Sequence, residues 1–258
     1  MLKFAGSALL FFGFIHSTLI PSAFGGFTFA PVIAELAPSG PKSSGAFTLR
    51  NQTEERTPVM ISIVHRDPAS DGKEEYKETP DIDDMFQIYP SQLILGPNDL
   101  RTVRISWIGN PNLKSELAFR MIAEELPFSM ESEAKSNKKV QAEIKIATRY
   151  IGSLYVTPPD AAPALEMIAK PIDPALKIEN AKLQLEITNT GTRHIMLNGI
   201  KIKVSAASGA AIEISEEDHK PIRGENLLAG KMRRFYIKGP SQLPAGPYKV
   251  TFELPQKK

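Results

Sequence analysis

The chain has 258 residues, with 31 basic and 29 acidic side chains and a formal net charge of +2. That balance excludes the one-signed surface that a nucleic-acid or acidic-lipid partner demands, and 42% hydrophobic residues exclude wholesale disorder. There is no cysteine, which removes thiol chemistry, zinc ribbons and iron–sulfur sites. A secreted chain without disulfides must be held by its core, and at this length it can be.

The first 25 residues differ from the rest. Lys3 precedes an apolar run, Phe4 to Ile20, and Pro21 and Ser22 lead to the small-residue sequence Ala23-Phe24-Gly25. This is the pattern of a secretory signal peptide cleaved after Gly25. The competing assignment is an uncleaved membrane anchor, which His16, the Ser and Gly residues and Pro21 disfavour. No later stretch approaches transmembrane length, so no stable membrane insertion is expected once the signal is removed.

Strand patterns follow. Ala46–Arg50 alternates and stops at Asn51-Gln52-Thr53; Val59–Val64 is a short β-branched run; Phe86–Tyr89 stops at Pro90; Thr102–Trp107 alternates; Leu117–Ile122 is closed by Pro127. Asp71-Gly72, Gly96-Pro97-Asn98-Asp99 and Gly109-Asn110-Pro111-Asn112 separate them. Short strands at this spacing predict antiparallel sandwiches. No segment carries a sustained helical period with caps. Glu131–Lys139 is charged and reads as a loop. Trp107, Phe86, Tyr89 and Phe119 occupy strand positions expected to face inward, which favours core packing over a sugar-stacking platform.

Val140–Val156 is a proline-free run of 17 residues, against about five or six for a usual strand. It is either one long strand or two in series, with Gly152 as a bulge or bend. Thr157-Pro158-Pro159-Asp160-Ala161-Ala162-Pro163 then reads as a stiff link. Beyond it the pattern restarts at Lys182–Thr188, Ile195–Val204, Ala211–Ile214, Arg233–Lys238 and Tyr248–Leu254. The expected organisation is all-β: two β-sandwich domains, 26–157 and 164–258, with a hinge at 158–163. Each half has a strand ending in Asn, at Asn51 and Asn189.

Catalytic and metal signatures are missing. His16, His65, His194 and His219 are scattered, and no metal-ligand spacing, nucleophile elbow, phosphate loop or calcium loop occurs. Glu124 and Glu125 fall on opposite sides of a strand, whereas an acid/base pair must face one bond; a solvated or domain-interface role suits them better. No enzyme activity, metal or cofactor is expected.

Within the long run, Val140, Ala142, Ile144, Ile146, Thr148 and Tyr150 share one face, and Gln141, Glu143, Lys145, Ala147 and Arg149 the other. An ordinary half-buried strand would show this alternation. So would an edge strand that offers its backbone and apolar side chains to a partner. The residues alone leave both open.

The order of several short segments resembles the PapD-like periplasmic pilus chaperones, in the style of their archaic branch. They are Pro31 with Glu35-Leu36, Phe47–Asn51, Ile88-Tyr89-Pro90, Leu95-Gly96-Pro97 before Thr102–Ile105, Phe119–Pro127, and Leu154–Pro158. In the second half come Leu185–Gly191, Leu227–Gly230 and Gly246–Val250. The resemblance implies two immunoglobulin-like sandwiches set at an angle. It also implies binding of pilin or fimbrial subunits by donor-strand complementation, delivery to an outer-membrane usher, a periplasmic location, and self-association through the free edge. The donated residues would be Val140, Ala142, Ile144, Ile146 and Thr148. Two departures stand out. The basic pair that grips the subunit's terminal carboxylate is missing: Pro31-Val32-Ile33-Ala34 has no basic residue, and the lysine position holds Ser153. Arg149, then Lys145, are the substitute candidates. Of the interdomain ion network, Glu125 matches the acidic member, but Thr157 replaces the hinge arginine and the second-domain acid falls at Leu243-Pro244. The rival expectation is a secreted adhesin or ligand-binding sandwich whose edge is never donated.

Overall fold

The computed structural model describes residues 26–127, 147–173, 175–206, 209–240 and 247–254. The expected signal peptide, the expected loop at Glu131–Lys139 and most of the 140–148 run lie outside the described residues.

Alternation builds the first unit. Its strands are β1 (Phe27–Ala30), β2 (Ile33–Leu36), β3 (Ser44–Asn51), β4 (Thr57–His65), β5 (Phe86–Tyr89), β6 (Gln92–Leu95), β7 (Leu100–Trp107), β8 (Leu117–Glu125) and β9 (Arg149–Val156), with one helical turn, α1 (Ile82–Met85), before β5. They form a four-stranded sheet, β1-β3-β7-β5, and a five-stranded sheet, β2-β9-β8-β4-β6. All pairs are antiparallel except β2 with β9. Alternate residues point between the sheets, so Phe27, Phe47, Leu49, Val59, Ile61, Val103, Ile105, Phe119, Met121 and Leu154 close into one core. Phe86, Trp107 and Phe119 meet in it edge-to-face or tilted. Tyr89 does not join them. It is 76% exposed, because three residues along a strand reverse the side from that of Phe86.

Two strands in this sandwich change sheets. β1 lies in one sheet and β2, after Pro31, in the other; β5 and β6 do the same across Pro90. Among the described residues each switch leaves part of a neighbouring strand's edge uncovered. Gly152 is not the bulge expected of it. It sits in regular register opposite Met121, and a Cβ there would come within 2.8 Å of the Val32 carbonyl oxygen; its bare Cα admits a close backbone approach.

The second unit has its own core of Leu183, Leu185, Ile187, Ile202, Val204, Leu227, Phe235 and Ile237. Its strands are β10 (Leu165–Pro171), β11 (Leu183–Asn189), β12 (Ile195–Met196), β13 (Lys201–Ala206), β14 (Ile212–Glu213), β15 (Asn226–Leu227), β16 (Met232–Ile237) and β17 (Tyr248–Glu253). They pair as β10-β11-β16, β14-β13-β17 and β12-β15. The expected strand Ile195–Val204 is thus two, broken where Gly199 takes a positive φ of 64°.

The strand-final asparagines are buried and equivalent. Thr53 N–H donates to Asn51 Oδ1 (2.9 Å), and Asn51 Nδ2 donates to the carbonyls of Glu55 (2.7 Å) and Gly96 (2.8 Å). Gly191 N–H donates to Asn189 Oδ1 (3.0 Å), and Asn189 Nδ2 donates to the carbonyls of Arg193 (2.7 Å) and Leu227 (3.1 Å). In each unit one amide ties the corner after a strand to a second strand, satisfying backbone groups that burial would otherwise leave unpaired.

Candidate functional site

The site is built on β9. On one side β9 pairs with β8 along its whole length, from Leu117 opposite Val156 to Glu124 opposite Arg149. Glu125 N–H donates to the Thr148 carbonyl at 2.9 Å, so Thr148, Tyr150 and Gly152 turn their backbone groups toward β8, and Arg149, Ile151 and Ser153 turn theirs the other way. There Ser153 N–H donates to the Val32 carbonyl at 2.8 Å, and the β2 ladder starts at Ile33 opposite Ser153. Arg149 and Ile151 lie before that start. Among the described residues no strand flanks them on this side, and the apolar Val32, Ile33 and Ile151 are exposed beside them.

Of the five expected donor residues only Thr148 is described; Val140, Ala142, Ile144 and Ile146 lie outside the described residues, as does Lys145. Thr148 Oγ1 accepts a bond from Gly26 N–H at 3.1 Å, and Tyr150 Oη donates to the Phe27 carbonyl at 2.8 Å. Thr148 and Tyr150 therefore face the sandwich interior, beside β1.

Arg149 projects from the opposite, outer face of the sheet, where its Nε lies 3.3 Å from Glu124 Oε2 in a half-exposed pair. It stands four residues from Ser153, about 13 Å along a strand, toward the end remote from the second unit. Next to Ser153 the structure places a different guanidinium, that of Arg120, whose Nη1 donates to Ser153 Oγ at 2.7 Å.

The junction between the units lies at the other end of β9. Among the described residues Glu125 makes no hydrogen bond or ion pair across it. Being at the far end of β8, it accepts from Thr148 N–H at 3.3 Å, which corrects its expected interdomain role. Glu116, just before β8, holds that place. Its carboxylate is almost wholly buried and accepts from Thr157 Oγ1 (2.9 Å) and from His194 N–H (3.0 Å), and His194 Nδ1 lies 2.8 Å from it. The His194 ring stacks on Tyr155 at 4.1 Å, and Arg193 pairs with Glu35 at 2.7 Å. Thr157, read from sequence as the loss of an arginine, is thus a donor to the junction's own carboxylate. Sequence reasoning missed Glu116 because it stands among turn residues, without strand parity to point it anywhere.

A second buried cluster lies beside the first. Glu74 Oε1 accepts from Arg66 Nε (2.9 Å) and Arg120 Nη2 (2.8 Å), and Glu74 Oε2 from Arg120 Nε (2.6 Å). Burial alone would raise the pKa of Glu74, but the hydrogen bonds from Arg120 and Arg66 outweigh it and hold the carboxyl below its ordinary value. Tyr155 Oη accepts from Arg66 Nη1 and from Asn226 Nδ2 of the second unit, each at 2.7 Å. Nothing in the sequence marks this cluster, because its members come from the residue after β4, a loop, β8, β9 and β15.

These features define a two-domain immunoglobulin-like β-sandwich protein in which, among the described residues, β9 has a partly uncovered edge at one end and a polar junction at the other. No family model matches the chain, and no curated protein does. Solved structures do. The class 5 fimbriae chaperone CfaA is 13% identical over 89% of this chain and 99% of its own, with a TM-score of 0.56. A chain of a chaperone–tip adhesin complex of CFA/I fimbriae biogenesis is 14% identical over 89% of this chain and 95% of its own, at 0.58. A chain from the Salmonella enterica SafA pilin in complex with the SafB chaperone is 12% identical over 84% and 86%, at 0.51. At these identities the likeness establishes a shared fold.

Proposed function

We propose that this protein is a periplasmic chaperone of pilus or fimbrial subunits, which holds them by donating a strand and passes them to an outer-membrane usher. The observation that carries the reading is the edge of β9. Among the described residues it is uncovered at Arg149 and Ile151, and in the sequence it is preceded directly by the alternation Val140, Ala142, Ile144, Ile146, Thr148. A subunit lacking its last strand gains main-chain hydrogen bonds and apolar burial from such a segment, the latter at about 25 cal/mol per Å². In this reading residues 1–25 are the export signal, 26–157 and 164–258 are the two domains, and 158–163 the hinge. No reaction is catalysed, and the idle edge can pair with a second copy. Arg149, the candidate grip for a subunit's carboxylate, stands at the end of β9 remote from the junction and is paired with Glu124 at 3.3 Å, which weighs against that role.

Co-expression with pilus subunits that are insoluble alone tests this. The protein should capture a soluble subunit, and the folded double variant Ile144→Asp with Ile146→Asp should capture none, because two buried charges in the donated face have no partner. Equal capture by the variant would refute the strand assignment. No capture by the native protein would favour a sandwich that binds its ligand without strand donation.

A further inference from the structure

The sheet switch at Pro90 opens a second strand edge, on β4. On one side β4 pairs with β8, and beyond its end Arg66 N–H donates to the Ala118 carbonyl at 3.0 Å. In an antiparallel ladder this fixes the parity: even-numbered residues of β4 turn their backbone groups to β8, and odd-numbered ones turn theirs away from it. On that other side β6 covers only Thr57–Met60, and Ile61 N–H donates to the Ser91 carbonyl at 2.8 Å. Before Ser91 the chain belongs to β5, in the opposite sheet. Among the described residues, the N–H and C=O groups of Ile63 and His65 therefore meet no partner.

Ile63 is only 3% exposed, and buried main-chain groups in folded proteins are nearly always paired. The unpaired edge borders a cavity of about 570 Å³, with Ile63, Ile82, Phe86 and Ile88 among its walls. The segment before α1 is fastened beside it, where His65 Nε2 lies 2.7 Å from Asp81 Oδ2, but it offers the edge no backbone hydrogen bond. Glu78 and Asp83 also border the cavity. Both are exposed, and neither has an ion-pair partner among the described residues.

We propose that the edge of β4 at Ile63 and His65 is a second docking site, which takes an extended segment of a partner chain, alternately apolar and basic, as an added strand. The main chain of such a segment completes the hydrogen bonds that β6 leaves unmade. Its side chains alternate. The residues opposite Ile63 and His65 point the same way as those two, into the cavity, and must be apolar to fill it. Their neighbours stay at the rim, where Glu78 and Asp83 favour lysine or arginine. The site lies across β8 from β9, so both edges can be filled at once.

The test uses the full mature chain and reads amide hydrogen exchange residue by residue. In the free protein the amides of Ile63 and His65 should exchange about tenfold faster than those of Ser62 and Val64, which are bonded to β8. A Lys-Val-Lys-Val-Lys-Val peptide, blocked at both ends and present at about ten times its dissociation constant, should slow Ile63 and His65 about tenfold. The same peptide N-methylated at its valines should not, because those are the residues whose N–H groups face β4. Glu78→Lys with Asp83→Lys, both at exposed positions, should weaken binding of the lysine peptide about tenfold. The proposal is overturned if the lysine peptide gives no protection, if the N-methylated peptide or Glu-Val-Glu-Val-Glu-Val protects equally, or if the double variant binds at the native level. It is overturned as well if the two amides are protected by raising the protein concentration alone, which would give the edge to a second copy.

Discussion

Glu116 and Glu74 are both carboxylates buried where the two domains meet, yet they are held in opposite ways. Glu116 receives its bonds from Thr157 at the end of the first domain and from the backbone and ring of His194 in the second. Glu74 is bound by Arg66 and Arg120 of its own domain, and reaches the second only through the loop that carries it. The difference teaches how one junction is tied in two ways. Glu116 has no substitute once removed, because its partners are donors aimed at that single carboxylate. Glu74 is one node of a network, since Arg66 and Arg120 are each also bonded to a β9 hydroxyl, of Tyr155 and of Ser153.

The strongest way to break the comparison is at Glu116. Glu116→Ala leaves Thr157 Oγ1 and His194 N–H without their acceptor in a buried setting, at a cost of about 3 kcal/mol. Urea unfolding should show it as a loss of cooperativity, with the second domain melting ahead of the first. A single transition at the native midpoint would remove Glu116 from its role as the pin.

Glu74→Gln should cost less, about 1–2 kcal/mol at neutral pH, and should reveal itself through pH. The folded carboxyl titrates below its ordinary value of 4.5, so the stability it contributes is fully present above pH 4.5 and is lost as pH falls through the lowered folded value. The gap between native protein and variant should be flat from neutrality down to about pH 5 and close below that. A gap that widens on acidification would show that the carboxylate is not the favoured form in the fold.

Ser153→Ala sharpens the same contrast. It removes the hydroxyl that accepts from Arg120 and leaves the Glu74 pair in place. Stability should fall by about 1 kcal/mol. A loss as large as that of Glu74→Gln would mean that Ser153 holds Arg120 as firmly as Glu74 does.

How far these features were legible in the sequence depends on how local their cause is. Strands such as Thr102–Trp107 and Lys182–Thr188 announce themselves by alternation, a property of a few neighbouring residues, and the observed β7 and β11 differ from them only at the ends. The uncovered part of β9 was half legible. Its apolar parity stands in the sequence, but its exposure depends on where β2 begins, and that follows from a strand that changes sheets at Pro31. The carboxylate clusters were not legible. Glu74 lies in a polar run with Glu75, Lys77 and Glu78, identical in composition to a solvated loop, and only the fold brings Arg66 and Arg120 around it. Glu125 attracted the interdomain role by its place in a motif, while the residue that fills the role, Glu116, lies nine positions earlier, just before the opposite end of β8. Asn51 and Asn189 were visible as strand-final residues, but the carbonyls they bind at Gly96 and Leu227 could not be read without the strands that bring them near.

The smallest expected effect belongs to a third ion pair on the same sheet. Arg149 and Glu124 face each other across β9 and β8 at 3.3 Å with both side chains substantially exposed. Water screens the attraction and both side chains surrender rotamer freedom to hold it, so such a pair is worth about 0–1 kcal/mol. Arg149→Ala should therefore leave stability within about 0.5 kcal/mol of native. The same substitution at Arg120 strands the Glu74 carboxylate in its half-buried place and should cost more in the same unfolding measurement. Subunit capture by Arg149→Ala tests what else this side chain does: capture at the native level would leave the guanidinium a surface partner of Glu124, whereas loss of capture with stability unchanged would make it a grip for the subunit at the uncovered end of β9.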